Sequence, residues 1–416
     1  MPRRVAIIGG GIIGLCAAYY LRRDGAQVVL LERDAIGAGS SLENAGLVVP
    51  SHFVPLAAPG VILQGLKWMF SPESPFYIRP RWDPALYRWL ILFARASRES
   101  RVRQAMPLLR DAAQASLRLY GELSAAIPDI VLERRGLLML YSSSAGGEHA
   151  KEEARLAQEI GISVRLLDRE GVERLDPGIR YTVGGGAYYP GDAYLDPERF
   201  MAALEGEVRR LGAEIRTGTE ILGCTARGSR IVALRTSGDI VEADEFVLAS
   251  GAWSDRLARD LRLDLPLQPG KGYSITFPSP AGAPSIPSIL VEARVAVTPL
   301  ADRLRYAGTM ELAGMEDRIE MRRVRAILRA VPKYYPGLAS VDTMVHLRPW
   351  RGFRPCTPDG LPYVGRFRTY PNLIAATGHA MIGMTLAPIT GRIVSDLVAE
   401  RQPEIGLTLL SPDRFA

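Results

Sequence analysis

Apolar positions recur along this chain at two spacings, and both are visible near its start. Residues 5–8 form an apolar run rich in β-branched side chains that stops at Gly9-x-Gly11-x-x-Gly14. An Ala- and Leu-rich stretch at helical spacing follows to about Asp24. Gly25 supplies a stop, and a second run, 28–31, ends on Glu32. That succession predicts strand, tight turn, helix and strand. Helical spacing returns in 61–70, in 85–94, onward to about Ala126, in 148–160 and in 321–331. It also marks 199–211, where Asp196 is placed to cap and Pro197 to open the helix, and 386–399. Strand spacing marks 213–216, 220–222, 230–241, 245–251, 272–277, 295–298 and 304–309. Between 351 and 365 prolines and glycines interrupt the pattern, which predicts a turn-rich loop.

The first of these units has a physical reading. Gly9 permits the turn, Gly11 lets the backbone approach a pyrophosphate, and Gly14 lets helix and strand pack closely, so the helix N-terminus points at phosphates. An acid at the end of the second strand, Glu32, suits a ribose diol. In the glycine-rich loop 36–50, Ser40 and Ser41 are placed to bond phosphate or ribose, although a flexible connection has the same composition. The buried run ending on Gly251 returns the chain to the nucleotide site and adds Gly251 as a candidate contact, so the nucleotide-binding unit is discontinuous. Only one such glycine unit exists, so one dinucleotide serves the reaction. The pattern alone stops at a flavin or nicotinamide oxidoreductase of α/β type.

Composition narrows the classes. At 416 residues and 47% hydrophobic, the chain suits two structural domains. Cys16, Cys224 and Cys356 lie far apart without a C-x-x-C pair, which suggests neither a disulfide framework nor a cysteine zinc site and fits a reducing compartment. The apolar run after Arg3 and Arg4 contains the glycine fingerprint, so it is not read as a secretion signal. No apolar stretch reaches the ~20 residues that span a bilayer. A net charge of +6, spread along the chain, does not argue for nucleic acid. The expected location is the cytoplasm. Segment 55–96, with Trp68, Phe70, Trp89 and Phe93 among Lys67, Arg88 and Arg95, suits either helices packed on the first domain or peripheral contact with the cytoplasmic face of the inner membrane.

Seven ordered segments carry a resemblance: RVAIIGGGIIG, GAGSSLENAGLV, YLDPERF, FVLASGAWS, GFRPCTPDGLPYVG and TGHAMIGMTLAPITGRIVSDL, with the terminal Glu32 between the first two. Over essentially its whole length the chain resembles the D-amino-acid oxidase-like family of FAD enzymes. SLENAG, VPLAAPGVILQGLKWMF and GKGYSITF are most similar to its bacterial D-amino-acid dehydrogenases. The resemblance implies an α/β fold: a Rossmann-like FAD-binding domain of glutathione-reductase type (1–55, 186–265 and 350–416) and a second, α+β substrate domain (56–185 and 266–349). It implies non-covalent FAD, with Gly9, Gly11, Ile12, Ile13 and Gly14 at the pyrophosphate, and Glu32 and Arg33 at the adenosine ribose. Ser40 and Ser41 continue along the diphosphate and ribityl chain, Ala45, Gly46 and Leu47 lie against the flavin, and Ile221 meets the adenine. The turn His379, Ala380, Met381, Ile382, Gly383, Met384, Thr385 approaches the pyrimidine edge, where a helix dipole stabilises negative charge.

Arg354, in the G-x-R-P segment, is the residue implied to hold the substrate carboxylate, since a guanidinium offers a planar two-pronged donor. The strand around 294–298 lacks the tyrosine that glycine oxidase-like members carry, and Tyr273 and His52 are the candidates to replace it. The implied reaction is oxidative deamination of a D-amino acid to a 2-oxo acid and ammonia, with a quinone or other acceptor taking the electrons. Two other readings stand beside it: an oxygen-dependent amine oxidase acting on glycine, sarcosine or D-proline, and a subunit that holds FAD structurally.

Overall fold

A computed structural model of the chain describes residues 2–60, 74–338 and 348–416. The helix expected over 61–70 lies outside them. The strand Arg4–Ile8, the helix Ile12–Arg23 and the strand Gln27–Leu31 form as the apolar pattern requires. They start a six-stranded sheet with the order Tyr363–Arg366, Leu373–Thr377, Glu245–Leu248, Arg4–Ile8, Gln27–Leu31, Glu214–Arg216. Every pairing in it is parallel except that of the first two strands. One face is covered by the helices Ile12–Arg23, Pro197–Arg210 and Gly383–Val398. Gly391 makes this packing close, since a Cβ there would stand 2.5 Å from the carbonyl carbon of Cys16. The other face is covered by the meander Ile221–Arg227, Arg230–Thr236, Ile240–Glu242 and by the helix Ser254–Asp260.

A larger, mixed sheet has the order Trp350–Cys356, Gln268–Pro278, Arg303–Leu312, Val295–Leu300, Ser288–Leu290, Leu137–Tyr141, Gly185–Tyr189, Arg165–Leu167, with Phe76–Ile78 also paired to Arg303–Leu312. The helix Met321–Ala330 packs Val324, Ile327 and Leu328 against one face.

Two expectations are corrected here. The segment read as a turn-rich loop begins with a seven-residue strand, Trp350–Cys356, paired antiparallel to Gln268–Pro278. It is an edge strand, which tolerates Pro355, and Gly352 leaves room for the Trp350 ring. This strand and Gly185–Tyr189 also belong to the larger sheet, so 186–189 and 350–356 do not lie in the nucleotide-binding sheet. Sequence order alone does not reveal the exchange, because the chain crosses between the sheets within a few residues of each.

Of segment 55–96, residues 82–96 divide by face. Asp83 caps the helix Pro84–Ala96 by accepting from the Ala85 and Leu86 N–H groups. Trp89 and Phe93 are stacked and buried, and Trp89 Nε1 donates to the Cys356 carbonyl. Trp82, Tyr87 and Ile91 are exposed.

Candidate active site

Between the two sheets lies a cavity of about 1480 Å³. Single small-ligand pockets run to roughly 1,000 Å³, so the space suits a dinucleotide together with a small substrate. Its floor is made by the C-terminal ends of the parallel strands, where ligands of open α/β sheets bind: Ile8, Gly9 and Gly11 to Ile13 at the end of the first strand, 31–34 at the end of the second, and 249–253 after Glu245–Leu248.

The glycine turn passes a test of fit. Gly9 has a φ of +112°, and a Cβ there would stand 2.5 Å from the Ala249 carbonyl oxygen. At Gly14 a Cβ would stand 2.0 Å from the Gly9 oxygen. Helix and strand therefore touch through bare backbone, and Gly11, Ile12 and Ile13 border the cavity at the helix start. Gly14 does not border it; its part is this packing. Glu32 accepts from the Gly10 N–H at 2.7 Å and the Asp34 N–H at 2.9 Å, which fixes its carboxylate at the cavity edge. Arg33 borders the same edge, paired with Asp34 and lying over the Trp253 ring. Ile221 and Gly251 border it as well.

Ser41 accepts from the Ile12 N–H at 3.0 Å and so caps the helix, while Ser40 donates to the Phe353 carbonyl at 2.7 Å. The loop that carries them is tied down from the larger sheet. Buried Arg305 donates to the Asn44 carbonyl at 2.7 Å and pairs with Glu198, and Thr298 Oγ1 donates to the Ala45 carbonyl. Gly46 has a φ of +69° and a Cβ there would stand 2.2 Å from the Leu195 oxygen, so only glycine fits. Ala45, Gly46 and Leu47 border the cavity.

At the other side, His379, Ala380, Met381, Gly383 and Met384 line it, with Ala380 held at a φ of +45°. Burial pushes His379 down to about 3, so its imidazole is neutral, and Nε2 lies 2.9 Å from Thr390 Oγ1. Ile382 and Thr385 do not line the cavity. The Thr385 hydroxyl accepts from the Val49 N–H at 3.1 Å and donates to the Leu47 carbonyl, so it ties the loop to the helix Gly383–Val398.

Arg354 borders the cavity from the edge strand and is half-buried. Nη1 donates to the Thr309 carbonyl at 2.9 Å, and among the described residues no carboxylate pairs with it. Burial holds its pKa below the ordinary arginine value, but arginine stays charged. The guanidinium lies across Gly272, where a Cβ would stand 1.9 Å from Nη1. A register shift between Lys271 and Tyr273 bulges the partner strand, and Thr309 within it has a φ of +68°, unusual for a β-branched residue. The bulge aims the carbonyl that anchors the arginine.

Both candidates for a second carboxylate contact border the cavity, and both have partners within the protein. The Tyr273 hydroxyl donates to buried Glu311 at 2.8 Å, inside a charge cluster with Lys271 and Arg323. His52 borders the cavity, but Nδ1 faces Ser51 Oγ at 3.3 Å. Burial and Arg294 push it down to about 4, so it is neutral.

Sequence reasoning missed Gly272, Thr309, Arg294, Ser51 and Asp192. Gly270 and Gly272, two apart in a strand, are a legible signal of a smooth face over which a long side chain can lie. The others carry no local mark.

A model of the FAD dependent oxidoreductase (DAO) family matches residues 4–397. A protein of Granulibacter bethesdensis named D-amino acid dehydrogenase is 33% identical, covering 99% of this chain and 100% of its own. A protein of the same name from Methylobacterium radiotolerans is 36% identical, covering 99% of each. In fold, the chain is similar to glycine oxidase from Geobacillus kaustophilus, with a TM-score of 0.78, 24% identity and 99% of each chain covered. L-proline dehydrogenase from P. horikoshii has a TM-score of 0.75, 19% identity, and 100% and 98% covered. With a family model spanning nearly its whole length and full-length relatives above 30% identity, the chain belongs to the DAO family of FAD-dependent oxidoreductases.

Proposed function

We propose that this protein oxidises D-amino acids to 2-oxo acids and ammonia and passes the electrons to a quinone or similar acceptor. The observation that carries the substrate class is Arg354, a charged guanidinium on the cavity wall with no carboxylate partner among the described residues. A half-buried cation of this kind is stabilised by an anion from outside, and an amino-acid carboxylate matches its fork. The full-length relatives named D-amino acid dehydrogenase support the same substrate. FAD, when bound, supplies the two-electron acceptor for the hydrogen at Cα, and water converts the resulting imino acid to products. The chain contributes orientation: Arg354 holds the carboxylate, and the loop 36–50 with the turn 379–384 surrounds the place for the ring system. FAD is held without a covalent bond. Cys356 is buried beside Met310 and pushed up to about 12 by burial, so it offers no thiolate.

Trp82, Tyr87 and Ile91 form an exposed apolar face with Arg95 and the Asp264-paired Arg88 beside them. That pattern supports peripheral docking on an anionic membrane surface, where a quinone would be met. No helix among the described residues is long and apolar enough to cross a membrane.

The test is anaerobic bleaching of the yellow protein with paired D- and L-amino acids, glycine, sarcosine and proline, followed by air. Bleaching by D-amino acids that persists in air and reverses with a quinone or dye is expected. Rapid recolouring with peroxide would identify an oxidase, and flavin that none of them bleaches would overturn the reading. Arg354→Ala should retain FAD yet lose roughly 3–5 kcal/mol in kcat/KM.

A further inference from the structure

A chain of three polar residues leads from the cavity into the protein. His52 borders the cavity, its Nδ1 lies 3.3 Å from Ser51 Oγ, and Ser51 Oγ donates to Asp192 Oδ2. The Ser51 N–H donates to the other carboxylate oxygen at 3.1 Å. Asp192 sits in the turn after the strand Gly185–Tyr189, is 2% exposed, and has no cationic partner among the described residues. Ionised carboxylates are rarely buried without a cation because desolvation is costly.

The protons can be placed. Ser51 has one hydroxyl hydrogen and gives it to Asp192, so Ser51 Oγ accepts from His52 Nδ1–H. That fixes the tautomer and leaves Nε2 an acceptor, with no hydrogen-bond partner among the described residues. The charged and titratable groups around the chain are few. Arg294 faces His52 and disfavours a lasting imidazolium, while Tyr189 lies beside Asp192. His149 and Glu153 of the helix Ser144–Glu159 border the same cavity.

Resting on the reading of the substrate as an α-amino acid, we propose that His52 takes the proton of the bound ammonium group and that Ser51 and Asp192 carry it inward. The substrate N–H bond breaks and a His52 Nε2–H bond forms. The Nδ1 proton moves to Ser51 and the Ser51 proton to Asp192, leaving a neutral amine whose lone pair assists departure of the Cα hydrogen with its electron pair to the flavin. The proton comes to rest on the carboxylate, which burial holds at about 7, well above the ordinary aspartate range. His52 is the group that touches substrate; Ser51 and Asp192 act through it.

The experiment is the rate of anaerobic bleaching from pH 6 to pH 10.5, using whichever D-amino acid bleaches the wild type fastest, for wild type, Asp192→Asn, Ser51→Ala and His52→Gln. At pH 7 each variant should be slower by about 10²-fold. Above about pH 10, where the amine arrives neutral, the rates should converge. Infrared difference spectra should show a protonated carboxylic acid formed on substrate addition in the wild type and absent in Asp192→Asn. A loss that is the same at every pH, no loss, or no acid band would overturn the relay. A wild type that no D-amino acid bleaches at any pH would overturn the substrate reading on which it rests.

Discussion

A Cβ at Gly272 would collide with the Arg354 guanidinium, so the absence of one side chain places another. This pairing across two strands sets the distance between the cation and the cavity, and it accounts for the bulge and the left-handed Thr309 on the third strand. Gly272→Ala should therefore act on substrate rather than on cofactor. The backbone there accepts alanine, but the arginine must leave its hydrogen bond to Thr309, at about 1–3 kcal/mol for an overpacked contact. The concentration of D-amino acid needed for half-bleaching should rise about tenfold or more, with flavin content unchanged. A variant that lost FAD and kept its substrate affinity would contradict this assignment.

At the scale of elements, the loop 36–50 has little regular structure of its own and is shaped by what surrounds it. Arg305 and Thr298 hold it from the larger sheet, Ser41 joins it to the first helix, and Thr385 joins it to the last. Thr385→Val keeps the shape of the side chain and removes the oxygen that the Val49 N–H needs. An orphaned buried donor costs about 1–3 kcal/mol. The expected result is a lower melting temperature and a measurable fall in retained FAD after gel filtration, although Thr385 borders no part of the cavity. Unchanged retention would mean that the loop is held well enough by Arg305 alone.

For the molecule as a whole, two neutral histidines, buried His379 and half-buried His52, lie near the junction of the sheets. Their folded pKa values, about 3 for His379 and about 4 for His52, lie below the ordinary 6.5. At these two groups the unfolded chain binds protons that the folded chain refuses, while Asp192, raised to about 7, does the reverse and offsets one of them between pH 7 and about 4; on balance stability should fall as pH drops below about 6.5 and continue to fall to about pH 3. Glu292 acts in the same direction at lower pH. Its partial burial opposes ionisation, but hydrogen bonds from Tyr334, Ser143 and Ser142 outweigh it and hold the carboxyl at about 2. Its contribution is present above about 4.5 and lost on the way down to 2. Urea midpoints measured from pH 8 to pH 4 should decline from about pH 6.5, and His379→Gln should flatten the upper part of that decline.

What the sequence determined is local or periodic. The strand–turn–helix with its three glycines, the acid at Glu32 and the capped helix after Asp196 depend on contacts within a few residues, so composition and spacing reveal them. A strand interrupted by glycine, proline and arginine, such as Trp350–Cys356, escaped because it leaves no hydrophobic alternation to read. The candidate site was legible where it is backbone, at residues 9–14 and 45–47, and in Arg354 through its motif. Tertiary structure decided the rest. It committed Tyr273 to Glu311, gave Thr385 to the loop rather than the cavity, and joined Ser51 to Asp192 across 141 positions of chain. Side-chain chemistry of that kind depends on which strands become neighbours, and register between distant strands is fixed only when the two sheets close on one another.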